Sequence, residues 1–111
     1  MLSLSSQGIA ALSRELDFCA LRHQIYSANV ANADVNGYHR LEVQHYPDLG
    51  IADPITHAGT AGQVMTTSET VKLDQEMAKL AGNALHYETL LTAYEKTAGI
   101  LNMAIKEGRG G

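Results

Sequence analysis

A chain of 111 residues with a formal net charge of −4, no Trp and a single Phe is one domain at most, without a large aromatic core. Its mild acidity argues against a nucleic-acid binder that relies on phosphate neutralisation, and no apolar run approaches the roughly 20 residues of a membrane helix. The one cysteine, Cys19, excludes an intrachain disulfide and reads as a small apolar helix residue rather than a reactive thiol.

The first predicted element is a helix from about Gln7 to Ala33. Ile9, Leu12, Leu16, Cys19, Tyr26 and Val30 fall on alternating three- and four-residue steps, with His23 in the one polar slot, and together they form a heptad seam. His23 reads as a tolerated seam residue rather than a pH switch. Phe18, Leu21, Ile25 and Ala28 form a second apolar row on the opposite side. One partner helix covers only one row, so a lone hairpin is expected to leave Phe18, Leu21 and Ile25 in water. Exposed stripes of that kind mark interaction surfaces, and this row is the expected inter-subunit face. The helix is then expected to be only marginally formed in a free monomer.

The helix should end in the block Ala28-Asn29-Val30-Ala31-Asn32-Ala33-Asp34-Val35-Asn36-Gly37-Tyr38-His39-Arg40. Asn29 and Asn32 share one helix edge, where a short amide can bond carbonyls freed at a fraying C-terminus. Asn36-Gly37 is a turn signal, and Gly37 is expected at positive φ. Tyr38 can pack back on the helix while its hydroxyl finds water or a partner.

The middle, Leu41 to Ser68, is polar. Leu41 to Tyr46 alternates and predicts a short strand or an extended segment. Pro47 to Ser68 carries too little apolar surface to fold alone and is expected to be irregular, disordered until bound.

A second helix is predicted from about Thr70 to Lys106. Leu73, Met77, Leu80, Ala84, Tyr87, Leu91, Tyr94, Ala98, Leu101 and Ile105 keep a 3-4 spacing without interruption. Leu80, Leu91 and Leu101 should bury against the first helix or its counterpart in a neighbour. Glu69, Asp74 and Glu76 near the start, and Lys106 and Arg109 near the finish, suit the macrodipole. Gly108, Gly110 and Gly111 stop the helix. The predicted fold is therefore all-α: two long terminal helices in a coiled-coil-like hairpin, residues 1–40 and 69–111 forming one structural domain around the irregular middle 41–68.

Catalysis has little to stand on. His39-x-x-Glu42-x-x-His45 lies in an extended pattern and lacks the spacing of H-E-x-x-H. His57 and His86 have no ligand cluster beside them in the sequence, and Ser5, Ser6 and Ser13 have no base in a recognised motif. Neither an enzyme, a metal, a cofactor nor a small-molecule substrate is expected.

Two stretches carry a family resemblance. The block from Ala28 to Arg40 closely resembles the N-terminal signature of bacterial flagellar axial proteins, A-N-x-A-N-x-x-T-x-G-Y. It matches at Ala28, Asn29, Ala31, Asn32, Gly37 and Tyr38, and departs at Val35, usually Thr, and Asn36, often Pro in proximal-rod members. Val71 to Tyr87 resembles the stretch V-x-L-D-x-E-M-A-x-x-A-x-N-x-x-x-Y of proximal-rod proteins of the FlgB type; Leu73, Asp74, Glu76, Met77, Ala78, Ala81, Asn83 and Tyr87 fit it. The resemblance implies a structural subunit of the flagellar basal-body rod, exported through the flagellar type III system and assembled into a helical tube. Its terminal helices would line the inner tube while the middle segment, short for this family, faces outward. It also implies a periplasmic rod location, export without a cleaved signal peptide, and neighbours among the other rod proteins, the FliE adaptor, the MS ring and the export gate. Met1 to Gln7 lacks the basic and apolar regions of a Sec signal, which fits a cytosolic protein as well as an exported rod subunit. A soluble helical-hairpin adaptor or export chaperone is the alternative from a different class, and a small metal-dependent hydrolase is a third.

Overall fold

The computed structural model describes residues 2–45 and 62–110. Helix α1 spans Leu2–Ala31, strands β1 and β2 span Leu41–His45 and Gly62–Thr66, and helix α2 spans Leu73–Gly110. The fold is mostly helical, as the two periodic stretches require. α1 begins several residues before Gln7, and α2 runs a few beyond Lys106.

The helices are antiparallel. Asn29 near the end of α1 meets Glu76 near the start of α2, and Asn83 reaches back to Cys19. Stepping down α1 by ten residues therefore steps up α2 by seven. At 1.5 Å per residue α2 is about 57 Å long and α1 about 45 Å, and the molecule extends 66 Å along its longest axis.

Between the helices, β1 and β2 form a two-stranded antiparallel sheet, with Leu41 opposite Thr66, Val43 opposite Val64 and His45 opposite Gly62. The alternation from Leu41 thus resolves into a strand. The expectation of an irregular segment up to Ser68 fails at Gly62–Thr66, because pairing with β1 supplies the backbone partners that this polar stretch lacks on its own. Residues 46–61 lie outside the described residues, so the predicted extension of the strand to Tyr46 does too.

Two expectations about buried faces are corrected. Phe18 and Ile25 are buried at 3% and 8% exposure, and Leu21 and Ala28 are half-buried, so this row is not an open inter-subunit face. The sheet packs on this row at Phe18. Gly62 sits so close to the Phe18 ring that an added Cβ would lie 2.9 Å from Phe18 Cε2. His23, placed on the seam by spacing, is exposed.

The second correction concerns α2. Leu80, Tyr94 and Leu101 are half-buried as expected, but Ala84 is exposed, as are Leu73, Met77, Tyr87, Leu91 and Ile105. The residues that face α1 instead are Glu76 and Asn83, both buried, with half-buried Leu90 and Thr97. These four repeat every seven residues, one position before Met77, Ala84, Leu91 and Ala98. The helix is therefore turned by roughly 50° about its axis from the orientation that maximises apolar contact, since one residue is 100° and one of two columns has shifted. The reason is polar. Burying Arg40 and Asn29 without Glu76 would leave a charge and an amide unpaired, at about 3–5 kcal/mol for the charge alone. Leaving a Met or Leu half in water costs about 1–2 kcal/mol each.

Candidate functional site

Four chain segments meet where α1 ends and α2 begins. α1 closes with the Asn32 amide donating to the Ala28 carbonyl at 2.8 Å, and the chain reverses through hydrogen bonds from Val35 to Asn32 and from Tyr38 to Val35. Gly37 lies at φ 80°, the left-handed conformation that favours glycine. That turn delivers Tyr38, Arg40 and Leu41 back onto α1.

Asn29 is the hub, with no exposed surface. Its Oδ1 accepts the Leu41 backbone N–H at 2.8 Å and the Tyr38 hydroxyl at 3.1 Å. Its Nδ2 donates to the Leu41 carbonyl at 2.9 Å and to Glu76 Oε2 at 3.1 Å. Every hydrogen-bonding position of the amide is used. Asn29 thereby ties β1, the turn and α2 to one point of α1.

Beside it lies a buried ion pair. Arg40 Nε donates to Glu76 Oε1 at 2.7 Å, with side chains only 7% and 1% exposed, and Arg40 Nη1 reaches Glu42 at 3.1 Å. Burial alone would push the Glu76 carboxyl up. The hydrogen bonds from Arg40 and Asn29, with the Arg40 charge, outweigh it and hold Glu76 below the usual carboxylate range. Burial likewise works against the Arg40 charge, and its bonds to Glu76 and Glu42 outweigh it, so the guanidinium is held more firmly protonated. The Arg40 backbone is fixed too: its N–H donates to the Glu69 carbonyl, and its carbonyl accepts from the Thr67 N–H and the Thr67 hydroxyl.

Two turns further along α2, Asn83 Nδ2 donates to the Cys19 carbonyl at 2.8 Å, a second direct bond between the two helices. Cys19 itself is a buried free thiol whose Sγ accepts from Arg22 at 3.1 Å. The Arg22 guanidinium also stacks over the Phe18 ring, 4.9 Å from its centre. Arg22, Tyr26, Lys79, Gly82, Asn83 and His86 line a shallow depression of about 270 Å³ where the helices cross.

Of the signature residues, the fold brings Asn29, Asn32, Gly37 and Tyr38 together with the Ala28 carbonyl, whereas Ala31 faces solvent. Arg40 and Leu41 carry roles that sequence reading did not assign. Glu76 lies in the first turn of α2, as its place near the predicted helix start implies, yet its carboxylate is turned inward. The available signal was a polar column, Glu76 and Asn83 at heptad spacing beside an apolar one. Among the described residues no three His, Cys, Asp or Glu side chains gather as metal ligands, and no helix is long and apolar enough to cross a membrane. Compared with protein-family models and with curated proteins, the chain gives no match. What the arrangement does chemically is hold four segments in one register through buried polar bonds.

Proposed function

We propose that this chain is a structural subunit of the bacterial flagellar basal-body rod, of the proximal-rod FlgB type, that is exported by the flagellar type III system and assembles into a helical tube. The observation that carries this reading is that its two family-like stretches meet. Asn29 of the first bonds Glu76 of the second across 47 positions of sequence, and Tyr38 completes the same cluster. Four residues that fit the two patterns, Asn29, Tyr38, Glu76 and Asn83, are thus among those that hold the terminal helices together. The apolar residues left on the outside of α2, among them Met77, Leu91 and Ile105, supply a surface for neighbours. In this reading the chain is no enzyme and needs no cofactor, and it stands in the periplasmic rod beside the other rod proteins, the FliE adaptor, the MS ring and the export gate.

One observation favours the soluble adaptor or export chaperone instead: Phe18 and Ile25 are covered within a single chain, so α1 does not need a neighbour on its second side. The test is the same for both. Basal bodies purified from the source bacterium should contain this chain, and an in-frame deletion should halt assembly after the MS ring, with no hook. An intact rod in the deletion strain, or a chain found only in cytosolic complexes with export substrates, would overturn the rod reading.

A further inference from the structure

The two edges of the sheet are not alike. On the β1 side both backbone groups of Leu41 are taken by the Asn29 amide, so Leu41 and its partner Thr66 are the non-hydrogen-bonded kind of antiparallel pair. The pair before it is of the bonded kind, since the Thr67 N–H donates to the Arg40 carbonyl. Alternation then makes Val43 and Val64 a second non-bonded pair. The N–H and C=O of Val64 and of Thr66 accordingly point away from β1, out of the sheet. Among the described residues no strand lies beyond β2, and nothing pairs with these four groups. The side chains do not guard the edge either. From Gly62 to Ser68 there is no charge and no proline, the devices that usually keep an edge strand from pairing. Val64 shares the face of Gly62, which touches Phe18, yet it is 43% exposed, while Val43 opposite is half-buried. β2 thus overhangs α1 at Val64.

We propose that an extended segment of another polypeptide adds to β2 as a third strand, bonding the backbone of Val64 and Thr66 and laying an apolar side chain beside Val64. Main-chain bonding to an edge selects an extended partner, and the side chains that alternate to one face supply the specificity. On the α1 side the partner's residues should be apolar, to cover Val64. On the other side they should be polar, beside the exposed Gln63. A folded second copy does not fit this edge. Four backbone groups and one exposed valine offer far less than the roughly 800 Å² per partner that a stable protein pair buries. An extended segment needs no such area, because it follows the strand and uses every outward group. Asn29 applies the same device within the chain: a peptide-like amide closes the β1 edge, and the β2 edge is open to a peptide itself. Such an edge serves a rod subunit and a soluble adaptor alike, so it stands apart from the choice between them.

The test uses the full-length chain, isotope-labelled for nuclear magnetic resonance, and a blocked peptide of alternating valine and threonine ending in two lysines. In the free chain the Val64 and Thr66 amide hydrogens should exchange with solvent as fast as those of an open loop. Those of Gln63 and Met65, which face β1, should be protected. Millimolar peptide should slow exchange at Val64 and Thr66 by about tenfold or more. The same peptide N-methylated at every valine and threonine has no donors to offer and should leave both amides unchanged. Val64→Pro removes an outward N–H that β1 does not use, at an edge where proline is tolerated. It should keep the circular dichroism spectrum and the protection of Met65, yet bind the peptide about tenfold more weakly or worse. Val64→Lys leaves the backbone intact and sets a guarding charge on the edge, so it should weaken binding in the same direction. No slowing at millimolar peptide, an equal effect of the methylated peptide, or a folded variant that binds as wild type would each overturn the proposal. So would Val64 and Thr66 amides already protected in the free chain: in a dimer a second copy would hold the edge, and in a monomer the chain itself would.

Discussion

Asn29 behaves toward Leu41 as a neighbouring strand would, accepting its N–H at 2.8 Å and donating to its carbonyl at 2.9 Å. A helix cannot pair with a strand through its own backbone, whose groups are already used. A primary amide reproduces the donor and acceptor of a peptide group, and a buried Asn on the last turns of α1 does so here. Asn29→Ala should therefore strand both polar groups of Leu41 and one oxygen of Glu76, at about 1–3 kcal/mol for each group left unsatisfied. Asn29→Asp should be as harmful despite its shape, because it loses both donated bonds and sets a second carboxylate beside Glu76. Urea denaturation followed by circular dichroism checks both; an Asn29→Asp chain as stable as wild type would contradict the assigned orientation.

The Arg40–Glu76 pair makes stability depend on pH in one direction. Glu76 titrates lower in the folded chain than in the unfolded one. Its contribution is then fully present above the ordinary carboxylate range and is lost as pH falls through the depressed folded value. Glu76→Gln keeps the volume but leaves Arg40 buried beside an uncharged amide. It should cost about 3–5 kcal/mol at pH 7 and flatten the acid limb of a stability–pH profile. Lys79, 3.7 Å from the same carboxylate but 42% exposed, should matter little: Lys79→Ala is expected to cost under about 1 kcal/mol.

Gly62 is where the sheet touches α1. A Cβ there would stand 2.5 Å from the Gln44 carbonyl oxygen and 2.9 Å from the Phe18 ring. Gly62→Ala should destabilise by about 1–3 kcal/mol through displaced backbone and ring. Adding Phe18→Leu should not restore stability, because the clash with Gln44 involves main chain. Full recovery in the double variant, in the same urea measurement, would show that the ring alone sets the limit.

At Gly37 the constraint is purely conformational. The φ of 80° stands in open space with nothing within 4 Å of a would-be Cβ. Gly37→Val is expected to cost about 1–3 kcal/mol of backbone strain, and Gly37→Asn much less, since Asn visits this region readily. Equal losses in thermal denaturation for Val and Asn would point to sterics that the structure does not contain. In the rod reading, Gly37→Val should also be exported without assembling.

Both helices, the turn at Gly37 and the first strand were legible because each rests on local rules: periodicity, positive φ and alternation. What escaped was long-range. Nothing near Gly62 announces a strand, since its partner lies in Leu41–His45 and pairing is decided there. The rotation of α2 escaped for the same reason. Apolar spacing favoured Met77, Ala84 and Leu91, and only the position of Arg40, 36 residues earlier, explains why Glu76 turns inward instead. Within the site, Asn29, Gly37 and Tyr38 were legible as a turn cluster, while Arg40 and Glu76 gave no sequence sign of each other.

Leu80 and Leu91 separate folding from assembly. Apolar spacing places both on one seam, yet Leu80 is half-buried on the α1 side, between Glu76 and Asn83 along the buried face, whereas Leu91 is 37% exposed on the outer stripe. A carboxylate at position 80 would enter the helix contact without a partner and carry the full desolvation cost. Leu80→Asp should therefore lower the unfolding free energy of the isolated chain by about 2–4 kcal/mol. The aspartate of Leu91→Asp can reach water, so the monomer should keep its stability to within about 1 kcal/mol. In the rod reading, however, Leu91 meets a neighbour, and burying a Leu is worth about 1.5–3 kcal/mol at each repeat of the contact. Leu91→Asp should accordingly fold normally and be exported, yet fail to enter basal bodies. Measuring urea midpoints of both variants, then motility and basal-body content of a complemented deletion strain, checks the two halves separately. A Leu91→Asp strain that swims as wild type would remove the outer stripe from any interface, and a Leu91→Asp monomer that unfolds like Leu80→Asp would return Leu91 to the intrachain seam.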